Sequence, residues 1–99
     1  MIKVTADRRV EKFLEDLSEA DKAKINRTIQ FFEEKGFLLE TKYLKKLVSK
    51  IWELRAGRVR LLFGLVGDQG VVVNGFIKKT QKTPVQEIKL AEKRLAEYL

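Results

Sequence analysis

Arginine and lysine are the side chains whose types and spacing suggest chemistry in this chain. Arg55, Arg58 and Arg60 flank an Ala56-Gly57 dipeptide, and Lys78, Lys79 and Lys82 follow a later apolar run. A planar guanidinium holds phosphate through paired hydrogen bonds, and fixed cations stabilise negative charge that develops during phosphoryl transfer. One carboxylate, Glu53, precedes Arg55 by two residues and is a possible general base. The reaction open to such a set is attack of an RNA 2′-hydroxyl on the neighbouring phosphate, with a cation-crowded lysine assisting proton transfer.

Composition narrows the alternatives. The 99 residues contain no cysteine and no histidine. These absences exclude a disulfide framework, a thiolate metal site, a cysteine nucleophile, a serine triad, a zinc hydrolase site and a histidine-paired ribonuclease site. Residues 41–83 hold ten basic side chains but only two acidic ones, Glu53 and Asp68, so no carboxylate-held metal and no cofactor are expected there. That stretch carries the whole excess behind the net charge of +7, and the segments on either side are nearly neutral. No apolar run approaches the roughly 18 residues that span a membrane, and MIKVTADRRV has no long apolar stretch of a secretory signal. A cytoplasmic protein with one domain over residues 1–99 is expected.

The elements that must position these cations follow from periodicity. Val10, Phe13, Leu14 and Leu17 mark one helix face. Ser18 and Asp21 open a second helix as an approximate capping box, Ile25, Ile29 and Phe32 continue it, and Lys35-Gly36 stops it. Residues 37–50 read as a loop anchored by its leucines, with Lys45, Lys46 and Lys50 in solvent. Three strands follow, Ile51 to Arg55, Arg58 to Val66 and Val71 to Lys78, separated by Ala56-Gly57 and by residues 67–70. Thr83 is placed to cap a last helix, with Pro84 at its first position and Gln86 completing the capping box. The expected fold class is α+β: two N-terminal helices, a small antiparallel sheet of three or four strands and a C-terminal helix. The helices are expected on one sheet face, because the other reads as basic.

If Ala56-Gly57 is the whole turn, Arg55 stands opposite Arg58 and Glu53 opposite Arg60. All four then share a face, with Trp52, Leu54, Val59 and Leu61 on the other. One of Lys78 and Lys79 joins the cations, and Lys82 can swing over them. A charge run is ordinarily a solvated face. Opposed arginines repel unless an anion lies between them, however, and confinement of the charge excess to one sheet favours a polyanion-binding face. Phe76 and Tyr43 are the candidates for stacking on a base.

The strings IWELR, RVRLLFGLV and VVVNGFIKKTQKTPVQEIKLAEKRLAEYL resemble the HigB-type toxins of the RelE/ParE superfamily. GFIKKTQKTP before the last helix and WELR before a basic strand carry the resemblance, which extends over nearly the whole chain. It implies a RelE/ParE-like fold and the toxin half of a type II toxin–antitoxin pair. It further implies a metal-independent, ribosome-dependent messenger RNA endoribonuclease that inhibits translation. The implied partners are a HigA-type helix-turn-helix antitoxin, the ribosome and mRNA. No membrane is implied, and DNA is reached only through the antitoxin complex. Arg55, Arg60, Lys78 and Lys79 match the family's basic positions, and Lys45, Lys46, Lys50, Arg58 and Lys82 are expected to bind RNA or ribosome. The chain departs from the family at Asn74, where many relatives have histidine, and Tyr98 lies at the far end of the last helix. The N-terminal strand of many relatives is reduced here to Ile2-Lys3-Val4 at most. The alternatives are a ParE-like toxin that inhibits DNA gyrase without nuclease action, and an inactive family member that binds RNA or antitoxin.

Overall fold

A computed structural model of the chain describes residues 2–99. Its elements run β1 (Lys3–Ala6), α1 (Arg8–Glu15), α2 (Glu19–Lys35), a short 3-10 turn (Gly36–Leu38), β2 (Leu44–Val48), β3 (Ile51–Ala56), β4 (Val59–Val66), β5 (Gln69–Ile77) and α3 (Val85–Ala96). The strands form one five-stranded mixed sheet in the order β1-β5-β4-β3-β2.

This corrects the expected fold class. The sheet has five strands instead of three or four, and it is not purely antiparallel, because β1 runs parallel to β5 in the register Val4↔Gly70 and Thr5↔Val71. The stretch read as a loop contains β2, an edge strand paired to β3 through Leu44↔Leu54 and Lys45↔Glu53. The helices do not share one face. Val10 of α1 and Ile25 and Phe32 of α2 pack on Leu54, Leu61, Phe63 and Val72. Ala91 and Leu95 of α3 pack on the opposite face, against Ile51, Leu62, Val71 and Val73. The face read as basic is therefore apolar over much of its length and covered by α3. A bulge in β5 helps build that second core. The register slips from Leu62↔Asn74 to Phe63↔Val72, and Val73 falls in the unpaired position.

The helix starts follow local chemistry. Ser18 Oγ accepts from the Asp21 backbone N–H at 3.1 Å, and Gly36 ends α2 at a φ of 58°. Asp7 caps α1 and is only 5% exposed. Hydrogen bonds from the Arg9 side chain hold its carboxyl well below the usual carboxylate range against the opposing effect of burial, and the Tyr98 hydroxyl, donating at 2.5 Å, adds to this. Arg9 also reaches Glu97 at 2.7 Å, which joins the start of α1 to the end of α3. Asp21 is likewise lowered, chiefly by its hydrogen bonds from Arg58, with burial opposing. A carboxylate with a depressed folded-state pKa contributes stability above its unfolded value near 3.9 and loses it as pH falls toward the folded value. Urea midpoints are therefore expected to drop between pH 6 and about pH 3. Asp7→Asn should flatten that dependence, and an unchanged slope in the variant would remove Asp7 from the account.

A candidate phosphodiester-binding site

The hairpin between β3 and β4 sets the site. Gly57 and Arg58 form its two-residue turn, with Gly57 at a φ of 61°, and Ala56 pairs with Val59. This corrects the expected pairing: Arg55 lies directly across from Arg60, and Glu53 lies across from Leu62. Each partner moves by two residues, so alternation keeps Glu53, Arg55 and Arg60 on one face.

Side chains on that face fall into rows across the sheet. The outermost row is Arg55, Arg60 and Phe76. The next is Lys45, Glu53, Leu62 and Asn74. The second row is capped by the start of α3, where Asn74 Nδ2 donates to the Glu87 carbonyl at 3.0 Å and to Glu87 Oε1 at 2.9 Å. Beyond this cover, the arginine row remains open. Residues 78–84 then cross the sheet as a connector, and a cleft lies on each side of it. One, of about 370 Å³, is lined by Phe13, Arg60, Phe76, Lys78, Lys79 and Glu87, among others. The other, of about 490 Å³, is lined by Lys45, Arg55 and Ile88, and Lys82 and Thr83 border both.

Electrostatics within the row are uneven. Arg60 is lowered from its ordinary range mainly by burial, Glu53 opposes that shift, and the facing Arg55 adds to it. Its Nη1 donates to the turn carbonyls of Gly57 at 2.8 Å and Val59 at 3.1 Å. Glu53 is 1% exposed, and both of its oxygens are engaged, one by Arg55 Nε at 2.9 Å and the other by the Thr83 hydroxyl. The residue considered as a general base is therefore a buried counter-ion of the arginine pair. Thr83 is not the helix cap. Pro84 occupies the cap position of α3 without a side-chain bond, and the threonine hydroxyl reaches Glu53 instead.

Arg55, Arg60, Lys78, Lys79, Lys82, Lys45 and Lys46 thus border the two adjoining clefts. Two other expected contacts, Arg58 and Lys50, do not join them there. The Arg58 guanidinium turns to α2, where it holds Asp21 at 2.7 and 3.1 Å. Lys46 borders the second cleft from the edge strand, while its ammonium lies 5.5 Å from the Trp52 ring centroid. Lys50 sits at the other end of β3, beside Ser49 and Leu99. Of the two stacking candidates, Phe76 shares the arginine row, whereas Tyr43 packs edge-on to Phe31 in the other core. Sequence reasoning missed Asn74 and Glu87 as the clasp at the start of α3, and it missed the reach of Thr83 to Glu53. No local spacing connects residues 13 or 30 apart across different elements, so neither contact had a periodic signal.

A search of curated proteins finds no match to this chain. The family model described as "Phage derived protein Gp49-like (DUF891)" matches residues 12–96, a span from α1 to the end of α3 that takes in both clefts. The chain therefore belongs to the Gp49-like phage-derived family, a RelE/ParE-like family associated with toxin–antitoxin systems.

Proposed function

We propose that this chain is a HigB-like toxin that cuts messenger RNA on the ribosome without a metal ion and is held inactive by a HigA-type antitoxin. The observation that carries the reading is the directly opposed pair Arg55 and Arg60 at the uncovered end of the sheet, with Lys78, Lys79 and Lys82 around the adjoining clefts. Two cationic side chains placed opposite each other across strands repel. An anion between them relieves the repulsion, and a phosphodiester has the charge and the oxygens to do so.

In this reading Arg55 and Arg60 hold the scissile phosphate. The 2′-hydroxyl loses its proton and its oxygen bonds to phosphorus. The bond to the 5′-oxygen breaks, and that oxygen takes up a proton, leaving a 2′,3′-cyclic phosphate and a 5′-hydroxyl. Lys78 or Lys79 neutralises the charge that builds on the phosphoryl oxygens. Glu53 is committed to Arg55 and Thr83, so proton transfer falls to the connector lysines and water. Lys45 and Lys82 extend the cationic surface for neighbouring phosphates.

Pulsed induction followed by primer extension on cellular transcripts tests this. New 5′ ends within translated messages, disappearing when translation is blocked, are the expected result. Intact transcripts accompanied by a DNA-damage response indicate a gyrase-directed toxin instead. Unimpaired growth with retained antitoxin binding indicates an inactive member.

A further inference from the structure

We infer that Thr83 and Glu53 are positioning residues that tie the lysine-bearing connector across the arginine pair. The inference rests on the proposed RNA-cleaving function and concerns how its site is held together. The connector carries Lys78, Lys79 and Lys82, all exposed. At its start the Lys78 N–H donates to the Arg58 carbonyl of the β3–β4 turn at 2.8 Å, and within it the Thr80 hydroxyl donates to the Lys82 carbonyl at 2.8 Å. Among the described residues, the side-chain hydrogen bond from this segment to the sheet is that of the Thr83 hydroxyl to Glu53.

Three features give that bond its role. Glu53 is buried, so its interactions are weakly screened by water and a lost partner is costly. The carboxylate serves two masters at once. One oxygen orients Arg55 and the other fixes the connector, so the placement of the lysines and of Arg55 is set by a single group. Finally, the cations around the clefts repel one another, and an untied connector would swing its lysines outward into water. Thr83 stands one residue before the cap of α3, outside the position from which a threonine hydroxyl serves a helix. Its hydroxyl instead restrains the loop, which keeps the cations arranged before RNA arrives.

The test compares wild type, Thr83→Val, which keeps the shape and removes the hydroxyl, and Thr83→Ser, which restores it. Two readouts are used: the rate of tryptic proteolysis after Lys79 and Lys82, and binding to ribosomes programmed with a message that carries 2′-deoxy substitution at the scissile position. Thr83→Val should speed proteolysis and weaken binding, each by roughly tenfold, as expected for loss of one hydrogen bond to a buried carboxylate. Thr83→Ser should return both toward wild type. Wild-type proteolysis in Thr83→Val overturns the tie. Faster proteolysis with unchanged binding leaves Thr83 a structural role only and overturns the positioning assignment. If wild type binds no programmed ribosome, the proposed function falls and the positioning assignment with it, while the proteolysis result still decides whether the tie exists.

Discussion

Arg60→Ala is expected to abolish growth inhibition and transcript cleavage while the protein remains folded. One preorganised donor at a site of developing charge is worth about a hundredfold to a thousandfold in rate, roughly 3–4 kcal/mol. The fold should lose much less. Among the described residues, the Arg60 side chain bonds only the carbonyls of Gly57 and Val59 at the hairpin end, which water can satisfy, and its removal relieves the repulsion from Arg55. Arg58→Ala is the matched control, because it removes the same charge two residues away. Arg58 is tied to Asp21 on α2, so its loss should lower stability and leave the cleavage rate of the folded fraction near wild type. Equal loss of cleavage in both variants would show that bulk charge, and not this pair, is what matters. Retained toxicity in Arg60→Ala would remove the phosphate-holding role outright.

The cation face was legible because alternation depends on parity alone. Displacing the turn from Ala56-Gly57 to Gly57-Arg58 changes every cross-strand partner by two residues, and two residues is one full period of a strand. Glu53, Arg55 and Arg60 therefore share a face under either register, while the identity of the facing pair depends on where the positive-φ glycine sits. β2, read as a loop, and β1, expected only through the family resemblance and as Ile2-Lys3-Val4 at most, lacked this signal. In β2, Leu44-Lys45-Lys46-Leu47-Val48, adjacent lysines break the alternation, and pairing on one edge alone leaves both free in solvent. β1 is only four residues long, and its partner lies more than sixty positions away, so only tertiary pairing identifies it. The placement of α3 on the second face depends on the same kind of long-range information. Its stripe of Ile88, Ala91 and Leu95 announces an amphipathic helix, but Leu62, Val71 and Val73 receive it only because of the bulge and of Gly64.

Gly64 yields the second large effect, this time on stability. It is a buried glycine in the middle of β4, where glycine is usually a liability. A Cβ built there would collide with Leu95 Cδ2 and come within 2.9 Å of both Leu95 Cδ1 and the Lys50 carbonyl oxygen. The absent side chain is what lets α3 settle onto the sheet. Gly64→Val is expected to cost about 3 kcal/mol, the upper range for overpacking a close-packed core. A domain of this size holds only about 5–15 kcal/mol in total, and each kcal/mol shifts its melting temperature by roughly 4–8 °C. The damage should extend to the site, because α3 anchors the far end of the connector through Pro84 and through the bonds between Glu87 and Asn74. Tryptic proteolysis after Lys79 and Lys82 is therefore expected to speed up in this variant, as is expected for Thr83→Val. The collision with Leu95 is checked by a double-mutant cycle. Leu95→Ala alone removes buried surface and costs stability, but in the Gly64→Val background it also relieves the clash and should cost far less. Equal cost in both backgrounds would mean that the backbone approach at Lys50, and not the leucine, excludes a side chain at position 64.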